Sequence, residues 1–172
     1  MNIMTKTPTF GLIVATRGFF NSELAASART TLLKVMAEKK FDYVITPETA
    51  TPNGAIETRE HAKLCADLFR QNSERIDGVI VVLPNFGDEL GVVQTLDLAK
   101  LNVPVLVMAC DDELDKMSVD KRRDAFCGKL SVCNNLYQYG IPFTDTTFHT
   151  CPIDSAEFRA DLDYFSRVCR VV

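Results

Sequence analysis

The sequence predicts an α/β protein built on a doubly wound, parallel, five-stranded sheet, and three observations carry that expectation. The segment from Asp77 to Glu89 reads DGVIVVLPNFGDE, an uninterrupted apolar run opened by Gly and closed by Pro-Asn-Phe-Gly-Asp. A strand with one wet face alternates apolar and polar residues, so Val79, Ile80, Val81, Val82 and Leu83 in succession describe a strand covered on both faces. Segments of helical periodicity fill each gap between such runs, as the crossovers of a parallel sheet require. Right-handed crossovers then favour the strand order 2-1-3-4-5.

The strand-like runs lie at Phe10 to Ala15, Tyr43 to Thr46, Val79 to Leu83, Val103 to Ala109 and, with a weaker pattern, Thr146 to His149. The first helix is capped by Asn21 or Ser22, lines one face with Leu24, Ala28, Leu32, Val35 and Met36, and ends at the basic pair Lys39-Lys40. A second follows Asn53-Gly54 and buries Ala62, Cys65, Leu68 and Phe69, and a third, capped near Asp88, buries Val92, Val93, Leu96 and Ala99. The fourth places Phe126, Leu130, Cys133 and Tyr137 at i, i+4, i+7 and i+11, which predicts that this stripe faces the core. It stops at Gly140 with Pro142 beyond. Asp154 and Glu157 have capping-box spacing ahead of a fifth helix carrying Phe158, Leu162, Phe165 and Cys169.

A chain of 172 residues that is 47% hydrophobic suffices for one domain, residues 1–172, burying roughly 70% of its unfolded surface. The net charge of -4 and the pI of about 5.2 lack the basic stripe that nucleic acid requires, since Lys121-Arg122-Arg123 is flanked by Asp120 and Asp124. No apolar run approaches the length of about 18 residues needed to span a bilayer, and the amino terminus MNIMTKTPTF has no signal-peptide pattern. These features predict a cytoplasmic protein that binds neither nucleic acid nor membrane. The six cysteines are irregularly spaced within apolar segments, which reads as buried thiols rather than disulfides or a zinc knuckle. The apolar ending Arg170-Val171-Val172 follows the last helix without a polar tail, as though another strand or domain continues the chain.

In open parallel sheets ligands gather beyond the carboxyl ends of the strands, which directs attention to four residues. Arg17 lies in the turn Ala15-Thr16-Arg17-Gly18-Phe19-Phe20-Asn21 after the first strand, and stays open between contacting a ligand or neighbouring subunit and lying on a solvated surface. Asn85 and Phe86 occupy the loop after the third strand, where Asn85 reads as a solvated side chain. Glu48 follows the second strand as a carboxylate candidate. The turn has too few glycines for a dinucleotide fingerprint, and Thr16 alone does not make the hydroxyl-rich phosphate loop of a flavodoxin. A phosphorelay receiver would need an aspartate where Leu83-Pro84-Asn85 stands. Cys110 lacks a base placed by sequence, so it reads as structural, while Asp111, Asp112 and Glu113 read as a solvated acidic loop. His149 reads as partly buried and His61 as a surface residue.

Three segments together carry a family resemblance: DGVIVVLPNFGDE, RRDAFCGKLSVCNNLYQYGIPF from Arg122 to Phe143, and FSRVCRVV from Phe165 to Val172. Over essentially its whole length the chain resembles the amino-terminal domain of the L-fucose and L-arabinose isomerase-like family. The resemblance implies a flavodoxin-like or Rossmann-like first domain of a longer, oligomeric aldose-ketose isomerase. It implies that manganese, the metal ligands and the acid/base pair belong to later domains, so that this chain carries no cofactor and no catalysis of its own. It further implies that the domain caps a neighbouring subunit's sugar site, with Arg17 and Phe86 at the positions that approach the sugar. A stand-alone polyol- or sugar-binding regulatory module remains the alternative, and a reading frame continuing past Val172 would separate the two.

Overall fold

The structure, a computed structural model, describes residues 7–171. Its elements run β1 (Thr9–Val14), α1 (Glu23–Lys39), β2 (Asp42–Ile45), α2 (Arg59–Gln71), β3 (Gly78–Leu83), α3 (Glu89–Ala99), β4 (Val105–Ala109), α4 (Ala125–Gln138), β5 (Thr144–Asp145) and α5 (Ala156–Val168). The five strands form one parallel sheet in the order β2-β1-β3-β4-β5, as the sequence predicts. Met1 to Lys6 and Val172 lie outside the described residues, so the amino-terminal pattern and the last residue of the apolar ending have no structural account.

The register explains the uninterrupted apolar run. Val81 sits between Ile13 of β1 and Val107 of β4, while Ile80 sits between Leu12 and Leu106. Val79, Val81 and Leu83 point into a core with α2, α3 and α4, built around Phe69, Val92 and Leu136. Ile80 and Val82 point into a second core with α1 and α5, built around Leu32, Phe158 and Phe165. A strand that feeds two cores has no wet position, and every residue of β3 is buried.

The helices depart from expectation in instructive ways. Ala25 rather than Leu24 is buried in α1, and Leu68 is only partly buried in α2, where Ala66 joins the core. The cap of α5 is Ser155, whose Oγ accepts from Phe158 N at 3.1 Å, one residue later than the Asp154 spacing suggests. Strand β5 comprises Thr144 and Asp145, not Thr146 to His149. The buried Lys129 of α4 donates from Nζ to Thr146 Oγ1 at 2.9 Å and to the His149 carbonyl at 3.1 Å, and those bonds fold the following residues into a bend.

The largest correction concerns α4. Phe126, Leu130 and Tyr137 are 40%, 58% and 80% exposed, whereas Ala125, Gly128, Lys129, Val132 and Leu136 face inward. The cause is a close backbone approach: a Cβ on Gly128 would fall 1.8 Å from the Phe86 carbonyl oxygen, so only glycine lets the helix lie against the loop after β3. Lys129 enters the interior because Thr146, His149 and Asp145 satisfy its amine. Apolar periodicity registers neither effect.

Candidate functional site at the carboxyl edge

Strands β1 and β3 are adjacent in the sheet although α1, β2 and α2 separate them in the chain, so their following loops meet at the carboxyl edge. Backbone hydrogen bonds join neighbouring segments at this edge. Thr16 N donates to Ile56 O at 2.9 Å and Ile56 N to Val14 O at 2.8 Å, which draws the approach to α2 alongside the same edge. Gly87, at a φ of +71°, folds the β3 loop back over Leu83 and Ala15.

Arg17 and Phe86 come together here. The Arg17 guanidinium lies over the Phe86 ring, 4.6 Å from its centroid, and donates from Nη2 to the Glu89 carboxylate, with Asp88 Oδ2 at 3.8 Å. Phe86 also stacks on Phe20 at 6.3 Å, and Phe19 meets Phe20 edge-on while standing 65% exposed. A Cβ on Gly18 would lie 2.3 Å from Glu57 Oε1, so the Glu57 carboxylate rests over this turn. One guanidinium thus lies on the half-buried Phe86 ring between Asp88 and Glu89, with the Glu57 carboxylate over the adjoining turn. The set offers acceptors and donors for hydroxyl groups and an apolar face for C–H groups.

The other two candidates behave differently. Asn85 is completely buried, not solvated: its Nδ2 donates to Thr16 Oγ1 at 2.9 Å and its Oδ1 accepts from Gly87 N at 3.0 Å. It fastens the two loops together beneath Arg17 and Phe86. Glu48, largely exposed, accepts from Arg29 Nε at 3.1 Å on the β2 side. Arg29 itself is buried under Gly54, with Nη1 lacking a partner.

Sequence reasoning missed Glu57, Glu89 and Arg29. Arg29 left a trace, because a cation on the apolar face between Ala25, Ala28 and Leu32 demands a buried partner. Glu57 and Glu89 left none, since their roles depend on which loops become neighbours. The acidic stretch after β4 is also organised rather than merely solvated. Asp112 Oδ1 accepts from Arg123 N and Asp124 N, and Arg123 donates to the Pro84 carbonyl at 3.0 Å, tying this loop to the one after β3. Hydrogen bonds from Lys116 and then Arg123 hold the Glu113 carboxyl below its usual range.

Burial pushes the Cys110 thiol up to about 12, which leaves it protonated and unreactive at neutral pH. Cys65 is likewise buried, whereas Cys127 is exposed and departs from the buried-thiol expectation. His61 is half-buried with Nδ1 unpartnered, and His149 is exposed beside Phe126, the reverse of what the sequence suggests for the two. Asp88 Oδ1 caps α3 through Gly91 N, and Glu89 is taken by Arg17, so these carboxylates do not make a metal cage. Among the described residues no group of three or more His, Cys, Asp and Glu side chains is arranged to hold a metal ion.

Two cavities lie elsewhere. One of about 230 Å³ at the end of β4 is lined by Thr31, Cys110, Asp111 and Arg123, among others. The other, about 500 Å³, lies at the opposite edge of the sheet between Leu96, Val105, Tyr139 and Phe143. Neither is lined by Arg17, Asn85, Phe86 or Glu48.

Fold and site together define a doubly wound α/β domain of flavodoxin-like topology with a polar, aromatic edge beyond β1 and β3. The chain belongs to the fucose/sulfoquinovose isomerase N-terminal domain family, whose model matches residues 11–172. Among solved structures it is similar to FerB, a flavoenzyme NAD(P)H:(acceptor) oxidoreductase from Paracoccus denitrificans, with a TM-score of 0.54 at 11% identity over 96% of this chain and 98% of that one. That likeness is one of fold alone. No curated protein matches the chain. No helix among the described residues is long and apolar enough to cross a membrane.

Proposed function

We propose that this chain is the substrate-capping domain of a cytoplasmic, metal-dependent aldose-ketose isomerase. It binds a sugar at the β1–β3 edge while a homo-oligomer brings that edge to a neighbouring catalytic site. The observation that carries the reading is the Arg17 guanidinium stacked on Phe86 and fixed by Glu89, on an edge that neither cavity encloses. A sugar lying on such an edge is covered on one side only, and the second surface must come from elsewhere. Arg17 supplies hydroxyl-directed donors, Glu57 and Glu89 supply acceptors, and Phe19 offers its exposed ring to sugar C–H groups. Asn85 holds the two loops at their spacing without touching the sugar. Glu48, paired with Arg29, borders the site rather than forming its centre.

The isomerisation itself needs a metal and an acid/base pair, which this reading assigns to later domains of a longer chain. Replacing Arg17 with Ala in the assembled enzyme is expected to raise KM for the aldose at least about tenfold, since several polar contacts are lost at once. The thermal midpoint should hardly change, because Arg17 is a third exposed and exposed ion pairs contribute about 0–1 kcal/mol. A lowered midpoint with unchanged kinetic constants overturns the assignment. The isolated chain should give no ketose and no stoichiometric manganese binding in calorimetry, and turnover by this chain alone would place the chemistry in the wrong domain.

A further inference from the structure

The geometry points to a second ligand site: the cavity at the carboxyl end of β4 binds a small organic ammonium ion. Alternation along β4 sends Leu106, Met108 and Cys110 toward the layer of α1 and α5, where core packing seals the first two. Above Cys110, the last of the series, that layer parts. Ala28 and Thr31 of α1 stand on one side and Pro152 to Asp154 on the other, leaving about 230 Å³ between them. The exposed residues Ser27 and Asp154 mark its mouth. This volume falls below the roughly 300–1,000 Å³ of sites for drug-sized molecules, so the occupant has only a few carbon atoms.

The lining selects the charge of the occupant. The carboxylates of Asp111, Glu113 and Asp154 face one guanidinium, that of Arg123. Arg123 is already engaged, donating from Nη1 to the Pro84 carbonyl and from Nη2 to Glu113 Oε1, each at 3.0 Å. Asp111 is half-buried, and neither its carboxylate nor that of Asp154 has a partner among the described residues. An anion would meet two uncompensated carboxylates, and an alcohol would leave their charge unanswered. An ammonium group supplies both the opposite charge and several N–H donors. The floor of the cavity gives an independent sign of a ligand: Cys110 is 5% exposed, and its thiol has no hydrogen-bond partner among the described residues. Ala28 and Ile153 offer apolar surface to the carbons of the occupant. The inference does not depend on the sugar reading, because neither Arg17, Glu57 nor Phe86 lines this cavity.

Butylammonium, butan-1-ol and butyrate, three probes of similar shape and different charge, test it by titration of the 172-residue chain at about 0.15 M salt, which screens distant surface charge. Butylammonium should bind saturably with a millimolar Kd, as suits so small a ligand, and at least about tenfold tighter than butan-1-ol. Butyrate should show no saturable binding. Amide shifts should change in residues 27–31, 110–113 and 153–154, which border the cavity. Asp111→Asn should abolish the preference for ammonium over alcohol while the unliganded unfolding midpoint holds, and Asp154→Asn should weaken that preference. Asp115→Asn, which alters an exposed carboxylate of the same loop outside the lining, should leave it unchanged. Equal binding of the three probes, shifts confined to other residues, or a preference that survives both Asp111→Asn and Asp154→Asn overturns the inference. So does a failure of butylammonium to bind saturably.

Discussion

Asn85 shows how much a single side chain contributes when the fold encloses it. Its amide bridges Thr16 Oγ1 and Gly87 N with no solvent to substitute for either. Asn85→Ala is expected to cost about 1–3 kcal/mol, because a buried donor and acceptor lose their partners, and the denaturant midpoint measures it. An unchanged midpoint would mean that the loops are not held by this amide. Gly54 is constrained twice over. Its φ is +64°, and a Cβ there would fall 2.4 Å from Arg29 Nη1 and 2.7 Å from the Thr46 carbonyl. Gly54→Ala should destabilise by more than the roughly 1 kcal/mol of an ordinary left-handed position, and Gly54→Asn, which relieves only the backbone strain, should not restore the loss.

At the scale of elements, α4 couples the edge of the sheet to the candidate site. Gly128 lets the helix backbone contact the Phe86 carbonyl, and Lys129 gathers the residues after β5. An alanine inside a helix normally stabilises relative to glycine by about 0.5–1 kcal/mol, but at position 128 its Cβ has no room. Gly128→Ala should therefore reverse that sign, and since backbone rather than a flexible side chain blocks the way, either α4 or the Phe86 loop must move. The measurement is the unfolding midpoint together with amide shifts of residues 85–89. A stabilised variant with those shifts unchanged would contradict the close approach.

The whole molecule rests on a sheet covered on both faces. Val81, buried between Ile13 and Val107, has no route to water, so Val81→Asp should cost several kcal/mol and abolish cooperative folding in circular dichroism. Burial also gives the molecule an alkaline limit. The thiols of Cys65 and Cys110 are raised from an ordinary 9.0 to about 12, chiefly by desolvation. A group whose folded pKa is raised contributes stability that is complete below its unfolded value and is lost as pH climbs through the folded one. Unfolding free energy should thus fall between about pH 9 and pH 12. The Cys65→Ala, Cys110→Ala double variant should lose less over that window. A thiol reagent at pH 8 should find the exposed Cys127 quickly and these two slowly.

The sequence alone determined the sheet. An apolar run with no polar interruption, helical segments in every gap and the handedness of crossovers were enough to give five parallel strands in the order observed, because these signals are local or follow from general sterics. It also marked Arg17 and Phe86, because the carboxyl edge of such a sheet is fixed once the strand order is. Tertiary structure alone decided that Asn85 is enclosed, that Glu89 joins Arg17 while Glu57 covers the turn at Gly18, and that α4 turns its aromatic stripe outward. Each of these depends on which backbones approach one another: Gly128 against Phe86, the loops after β1 and β3 side by side, a lysine drawn inward by three oxygens. Apolar periodicity measures only the average preference of a side chain for water, and one close backbone contact or one satisfied buried cation outweighs it.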